Sequence, residues 1–145
     1  MLTDRDAHEL YCAGHLLEAA IAHYRLTGKT YFLNTMLRYI TLIQSTFGNR
    51  DDQLHGYPGH EELELALMKL YNLTNASEHL ELARYFIEER GQRRNGTHYY
   101  EAEAEQNGVT LWPGHFKRDR WFEFMQAGQP IREQSSLEGI LPFLK

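Results

Sequence analysis

At 145 residues the chain has the length of one domain, and 42% hydrophobic with 12% aromatic residues can fill a core. A formal charge of −5, its acids and bases interspersed, makes no field for polyanions or an anionic bilayer, which excludes nucleic acid and membrane surfaces as partners. No apolar run approaches the roughly 20 residues that span a bilayer, the opening Met1 to Ala7 is charged where a secretion signal is apolar, and a lone Cys12 rules out an internal disulfide or a multi-thiolate metal site, so the expectation is a cytoplasmic chain.

The first helix is expected from Ala7 to Thr27, with Asp4 or Asp6 as cap candidates and Gly28 as the stop. A second runs from Tyr31 to Phe47, because Phe32, Leu33, Met36, Leu37, Ile40, Ile43 and Phe47 recur at the spacing of one helical face, and Gly48 ends it. Residues 49–59 are polar and punctuated by Gly and Pro, which reads as a loop. The third helix is expected from His60 to Thr74, then a turn at Asn75 and Ala76 with Ser77 as cap. The fourth reaches Arg90, with Leu80, Ala83 and Ile87 on one side and Gly91 closing it. This gives a first helical hairpin over 7–47 and a second over 60–91. Residues 92–134 read as a long loop segment, and 135–145 as a divergent tail broken by Pro142.

The two hairpins repeat. Leu26, Thr27 and Gly28 match Leu73, Thr74 and Asn75, while Tyr24, Leu33 and Ile40 match Tyr71, Leu80 and Ile87, all offset by 47 residues. One hairpin cannot cover its apolar face, so a repeat of this length means hairpins stacked on one another, an all-α fold.

On a helical wheel, Leu10, Leu17, Ile21 and Tyr24 of the first helix fall together, and His8, Cys12, His15 and Ala19 fall opposite. The second stripe lacks the Lys, Glu and Arg of a solvated face, so it suits an inner helix lining a cavity or partner surface. The third helix is similar, with Leu63, Ala66, Leu67, Leu70 and Tyr71 and with His60 at its start. The second and fourth have the one-sided pattern of an outer layer.

Several chemistries fit the stripe. His8, Cys12 and His15 have the spacing of metal ligands on one face, Cys12 beside an imidazole has the makings of a nucleophile, and buried histidines satisfied by their neighbours are the plain structural alternative. The His-Glu-x-x-His zinc protease signature is excluded, because Cys12 stands where its second histidine belongs. Farther on, Glu101, Glu103 and Glu105 offer either a carboxylate pair or an exposed polar edge. Trp112, Trp121, Phe122 and Phe124 offer a sugar-stacking platform or ordinary packing. Lys117, Arg118 and Arg120 are too local for a nucleic-acid patch.

Three ordered strings go further: His8-Glu9-Leu10-Tyr11-Cys12-Ala13-Gly14-His15-Leu16, Pro58-Gly59-His60-Glu61-Glu62-Leu63-Glu64-Leu65-Ala66-Leu67, and Pro130-Ile131-Arg132-Glu133-Gln134. Together the chain resembles glycoside hydrolase family 127, the β-L-arabinofuranosidase family, over residues 3–138. The resemblance implies part of an (α/α)6 toroid that hydrolyses terminal β-L-arabinofuranosides with retention. In that family a cysteine thiolate held on zinc by further cysteines and a glutamate attacks the anomeric carbon, and another glutamate serves as acid and base. None of those positions falls in this chain, so the resemblance implies no catalytic residue, no metal ligand and no cofactor here, with Cys12 outside the catalytic role.

What carries over is sugar contact, by His8, His60 and His15, since a neutral imidazole offers a hydroxyl pair one donor and one acceptor. The partner implied is an L-arabinofuranoside once the domain is completed. The family pattern then departs: Gly139-Ile140 stands where a Gly-His pair is expected, and Pro142 interrupts the next helix, at about 3 kcal/mol if interior. The expectation is a truncated gene product that exposes apolar surface and self-associates. The alternative is a non-enzymatic helical-repeat interaction module.

Overall fold

The computed structural model describes residues 7–108. The chain divides into two units, Met1–Arg90 and Gly91–Lys145. In the first, α1 (Glu9–Thr27) and α2 (Tyr31–Thr46) form one hairpin, α3 (Glu62–Thr74) and α4 (Ser77–Glu89) the other. In the second, β1 (Arg93–Arg94) pairs antiparallel with β2 (Thr97–His98), and α5 (Tyr99–Gln106) follows. The fold is all-α in class, stacked hairpins of a partial toroid. Among the described residues no helix is long and apolar enough to cross a membrane.

The core of the first unit follows from the periodicity. α1 buries Leu10, Ala13, Gly14, Leu17, Ala20 and Ile21, α2 buries Leu33, Met36, Ile40 and Ile43, and α3 buries Leu63, Ala66, Leu67 and Leu70. Each fully buried large side chain contributes roughly 1.5–3 kcal/mol. On α4 the packing face is not the expected Leu80, Ala83 and Ile87 row. It is centred on Leu82, Ala83 and Phe86, with Ile87 45% exposed, because the aromatic ring rather than the branched aliphatic fills the space beside Phe47. The Phe47 and Phe86 rings meet edge to face at 5.6 Å.

α1 and α3 run parallel, since their contacts advance together along both: His8 with His60, Gly14 with Glu62 and Leu63, Glu18 with Lys69. A Cβ on Gly14 would sit 2.8 Å from the Glu62 carbonyl carbon and the Leu63 nitrogen, so the two helix backbones touch there and only glycine fits.

The repeat is a repeated helix stop. Gly28 (φ 69°) and Asn75 (φ 54°) both take the left-handed conformation, and their N–H groups donate to the Tyr24 and Tyr71 carbonyls at 2.8 Å. The preceding threonines match too. Thr27 and Thr74 donate to the carbonyls of His23 and Leu70 and accept from the amides of Lys29 and Ala76.

The helix starts differ from expectation. α1 begins at Glu9 with His8 at its N-cap, not at Ala7 behind an aspartate; Asp4 and Asp6 lie outside the described residues. α3 begins at Glu62, two residues after His60. Ala76 is the N-cap of α4 and Ser77 its first helical residue, so the serine does not cap. α2 stops because Phe47 turns extended (φ −109°, ψ 140°) to bridge Leu54, one residue before Gly48. Residues 92–108, the start of the segment read as a long loop, hold the hairpin and α5. Asn95 and Gly96 both have positive φ, the Asn-Gly hairpin signal that was legible in the sequence.

Candidate functional site

Three histidines converge on one tyrosine. Tyr11 and His15 are four residues apart on α1 and share one stripe of the helix, and His8 is the N-cap residue just before it. The Tyr11 ring meets His15 edge-on at 4.6 Å, His60 at 5.2 Å and His8 at 6.0 Å, while His8 and His60 stack at 5.6 Å with their planes 25° apart. His8, His15 and His60 are exposed and Tyr11 is half-buried. The alternative of buried histidines is therefore overturned for these three. His8 also adopts a left-handed backbone (φ 58°, ψ 23°), a conformation that costs a non-glycine residue on the order of 1 kcal/mol.

The approach of His60 is set from behind. The loop before it is anchored by α4: the Tyr85 hydroxyl donates to the carbonyls of Leu54 at 3.1 Å and Gly56 at 3.2 Å. Gln53 reaches back to donate to the carbonyls of Gln44 (2.8 Å) and Phe47 (3.1 Å), closing the end of α2. Arg90, just past α4, donates to Glu64 at 2.7 Å, lies 3.7 Å from Glu61, and places its guanidinium 5.2 Å from the centre of the Tyr57 ring. Glu64 is buried, and its second oxygen meets no hydrogen-bond partner among the described residues. Burial pushes the Glu64 carboxyl above the usual carboxylate range, and the Arg90 charge and hydrogen bond partly offset that. Sequence reasoning missed this pair, because a contact between helices leaves no periodic trace.

Cys12 is exposed on α1. The Tyr39 phenol of α2 titrates above its ordinary value, mainly through burial and then through the nearby charges of Glu9 and Cys12. Among the described residues no group of three His, Cys, Asp or Glu side chains could hold a metal ion, so the His8, Cys12 and His15 spacing does not make a three-ligand site.

In the second unit the glutamates do not form one edge. Glu101 accepts a hydrogen bond from the His98 amide at 3.0 Å, Glu103 is buried and Glu105 is exposed, because residues two apart on a helix point to opposite sides. His98, also buried, is pushed below the usual histidine value, first by desolvation and then by the Arg93 charge. Trp112, Trp121, Phe122, Phe124, the basic residues 117–120, the 130–134 string and the 135–145 tail lie outside the described residues.

Comparison with known proteins gives one consistent answer. The model of the family described as Beta-L-arabinofuranosidase, GH127 catalytic domain, matches residues 2–137. A curated relative from Bifidobacterium longum subsp. longum, a non-reducing end β-L-arabinofuranosidase, is 33% identical over 137 residues, covering 93% of this chain and 20% of its own. The crystal structure of a GH127 β-L-arabinofuranosidase from Geobacillus stearothermophilus T6 superposes with a TM-score of 0.76 at 44% identity, over 90% of this chain and 20% of that one. A second solved GH127 β-arabinofuranosidase gives a TM-score of 0.57 at 40% identity, over 60% and 14% of the two chains. The chain thus spans about one fifth of the length of the relatives it matches.

Proposed function

Because the chain belongs to the β-L-arabinofuranosidase GH127 catalytic-domain family, we propose that it forms the sugar-contacting part of a retaining glycoside hydrolase acting on terminal β-L-arabinofuranosides, and that it does no chemistry alone. The observation that supports this is the meeting of His8, His60 and His15 on the exposed side of the two inner helices. An imidazole can donate to one sugar hydroxyl and accept from its neighbour, and two stacked imidazoles can do so for adjacent hydroxyl pairs. In this reading Cys12 is structural. The family's zinc centre needs several cysteines and this chain has one, so the residues present do not fit the metal and no catalytic step is assigned to them. This reading assigns neither the zinc nor the catalytic glutamates that the family resemblance implies to any of these 145 residues.

Methyl β-L-arabinofuranoside should shift the imidazole resonances of His8, His60 and His15 in a saturable way, and His60→Ala should weaken binding. An aryl β-L-arabinofuranoside should remain uncleaved with added zinc. Turnover that disappears in Cys12→Ala would refute the structural role of Cys12.

The interaction-module reading is favoured by one observation: Leu16 (48% exposed), Leu65 (52%) and Met68 (37%) place apolar side chains in water on α1 and α3. Self-association through these residues is expected under either reading. A sugar-indifferent oligomer, seen by size-exclusion chromatography beside the titration, would decide for the module.

A further inference from the structure

We propose that Tyr11 is the positioning residue of this cluster, the ring that holds the His8, His15 and His60 imidazoles in a fixed mutual arrangement. The need for such a residue is physical. Exposed side chains change rotamer on the ps–ns timescale, and an imidazole that swings free cannot keep a chosen nitrogen on a chosen hydroxyl. Neither backbone supplies the constraint for two of the three: His8 precedes the first residue of α1, and His60 lies two residues before α3.

Tyr11 supplies it from three sides. Tyr11 belongs to α1 and is half-buried, and the centre of its ring lies 4.6, 5.2 and 6.0 Å from the His15, His60 and His8 rings. All three fall in the roughly 4.5–7 Å range over which aromatic rings attract, and all three are edge-to-face, with planes at 80°, 63° and 88°. The helix spacing brings His15 to Tyr11, the N-cap position brings His8, and the close approach at Gly14 brings His60 by letting α3 lie against α1. The contacts belong to the ring and not to the hydroxyl, so phenylalanine should serve as well as tyrosine and an aliphatic residue should not.

The assignment rests on the sugar-contact reading only for its purpose; the geometry is tested without sugar. In the isotope-labelled full chain, the His8 and His60 imidazole protons should give a mutual nuclear Overhauser contact, and the three histidines should show unaveraged χ1 couplings. Tyr11→Phe should keep both signals. Tyr11→Leu should lose the His8–His60 contact while retaining the Phe47–Phe86 contact of the core. Survival of the His8–His60 contact in a folded Tyr11→Leu chain, or its loss in Tyr11→Phe, would overturn the proposal. If Tyr11→Leu does not fold, the couplings decide: rotamer averaging in the unmodified chain overturns the role of Tyr11, and fixed rotamers retained in Tyr11→Phe support it. Should arabinofuranoside leave the imidazoles unshifted while their contact still depends on Tyr11, the sugar reading fails and the role of Tyr11 stands.

Discussion

α3 turns Leu63, Leu67 and Leu70 inward, completely buried, and turns Leu65 and Met68 outward, 52% and 37% exposed. On its inward side Glu64 pairs with Arg90, and Phe47 and Phe86, both fully buried, meet edge to face; before its amino end His60 meets the Tyr11 ring. The inner seam is where burial stabilises the chain. The outer face holds a strained His8 backbone and exposed apolar side chains, which lower stability or leave it unchanged, beside exposed imidazoles tied to Tyr11 by ring contacts. Features a chain keeps without a stability gain are where function is sought.

The contrast is broken most directly by deleting one side chain on each side of the helix pair. Phe86→Ala should cost about 3–5 kcal/mol, through lost burial and the cavity left beside Phe47. Leu65→Ala should stay within about 0.5 kcal/mol, being solvent-facing. Urea unfolding of both variants checks this, and comparable losses would abolish the distinction between seam and face.

The seam contains one charged element, and it gives the contrast a pH dependence. Removing Arg90 leaves Glu64 buried against no cation, a change on the order of 3 kcal/mol at neutral pH. The Glu64 pKa is raised in the folded chain, so its contribution is fully present below the ordinary value of 4.5 and is lost as pH rises through the raised value. Without Arg90 the value rises further, so the loss relative to the unmodified chain should be largest near neutrality and shrink as pH falls toward 4.5. Glu64→Gln should flatten this dependence and cost less than Arg90→Ala. His79, buried on α4 and pushed below the usual histidine value by desolvation, acts in the opposite sense: its contribution is present above 6.5 and is lost as pH falls through the lowered value. Comparing each variant with the unmodified chain at the same pH cancels that background.

Gly14 joins the two regions, belonging to the buried side of α1 while setting the distance between His8 and His60. Gly14→Ala places a methyl group 2.8 Å from α3 backbone that has no side chain to move aside. The expected cost is about 1–3 kcal/mol. Unlike Leu65→Ala, this variant should also weaken the His8–His60 contact in the NMR experiment. A destabilised chain with that contact unchanged would mean that the cluster does not depend on how closely the helices approach.

The sequence made much of α1 readable: Leu10, Leu17 and Ile21 are buried and Cys12, His15 and Ala19 lie opposite and exposed, because a helix carries its faces in its own spacing, whereas Tyr24 is only half-buried and His8 precedes the helix. The α4 face was misread toward Ile87, since Leu80 and Ile87 sit on the flank of an arc whose centre only the tertiary contact with Phe47 defines. His60 was suspected through the family motif, yet its position against Tyr11 follows from the Gly14 contact, which joins residues about 50 apart and has no periodicity to announce it. The Arg90–Glu64 pair is hidden for the same reason.

The smallest effects belong to the repeated stops, where the sequence was most informative. Gly28 has open space around its Cβ position, so Gly28→Ala carries only the backbone cost of the left-handed conformation, about 1 kcal/mol. Asn75 meets the same requirement with a side chain that tolerates it, and Asn75→Gly should change stability by a few tenths of a kcal/mol. Both stops lie at the ends of α1 and α3 far from His8 and His60, so neither variant should alter the Tyr11 cluster even where it lowers the melting temperature. If a change at Gly28 did disturb the His8–His60 contact, the cluster would depend on the ends of α1 and α3 remaining in register along their whole length, and the separation of frame from face would have to be given up.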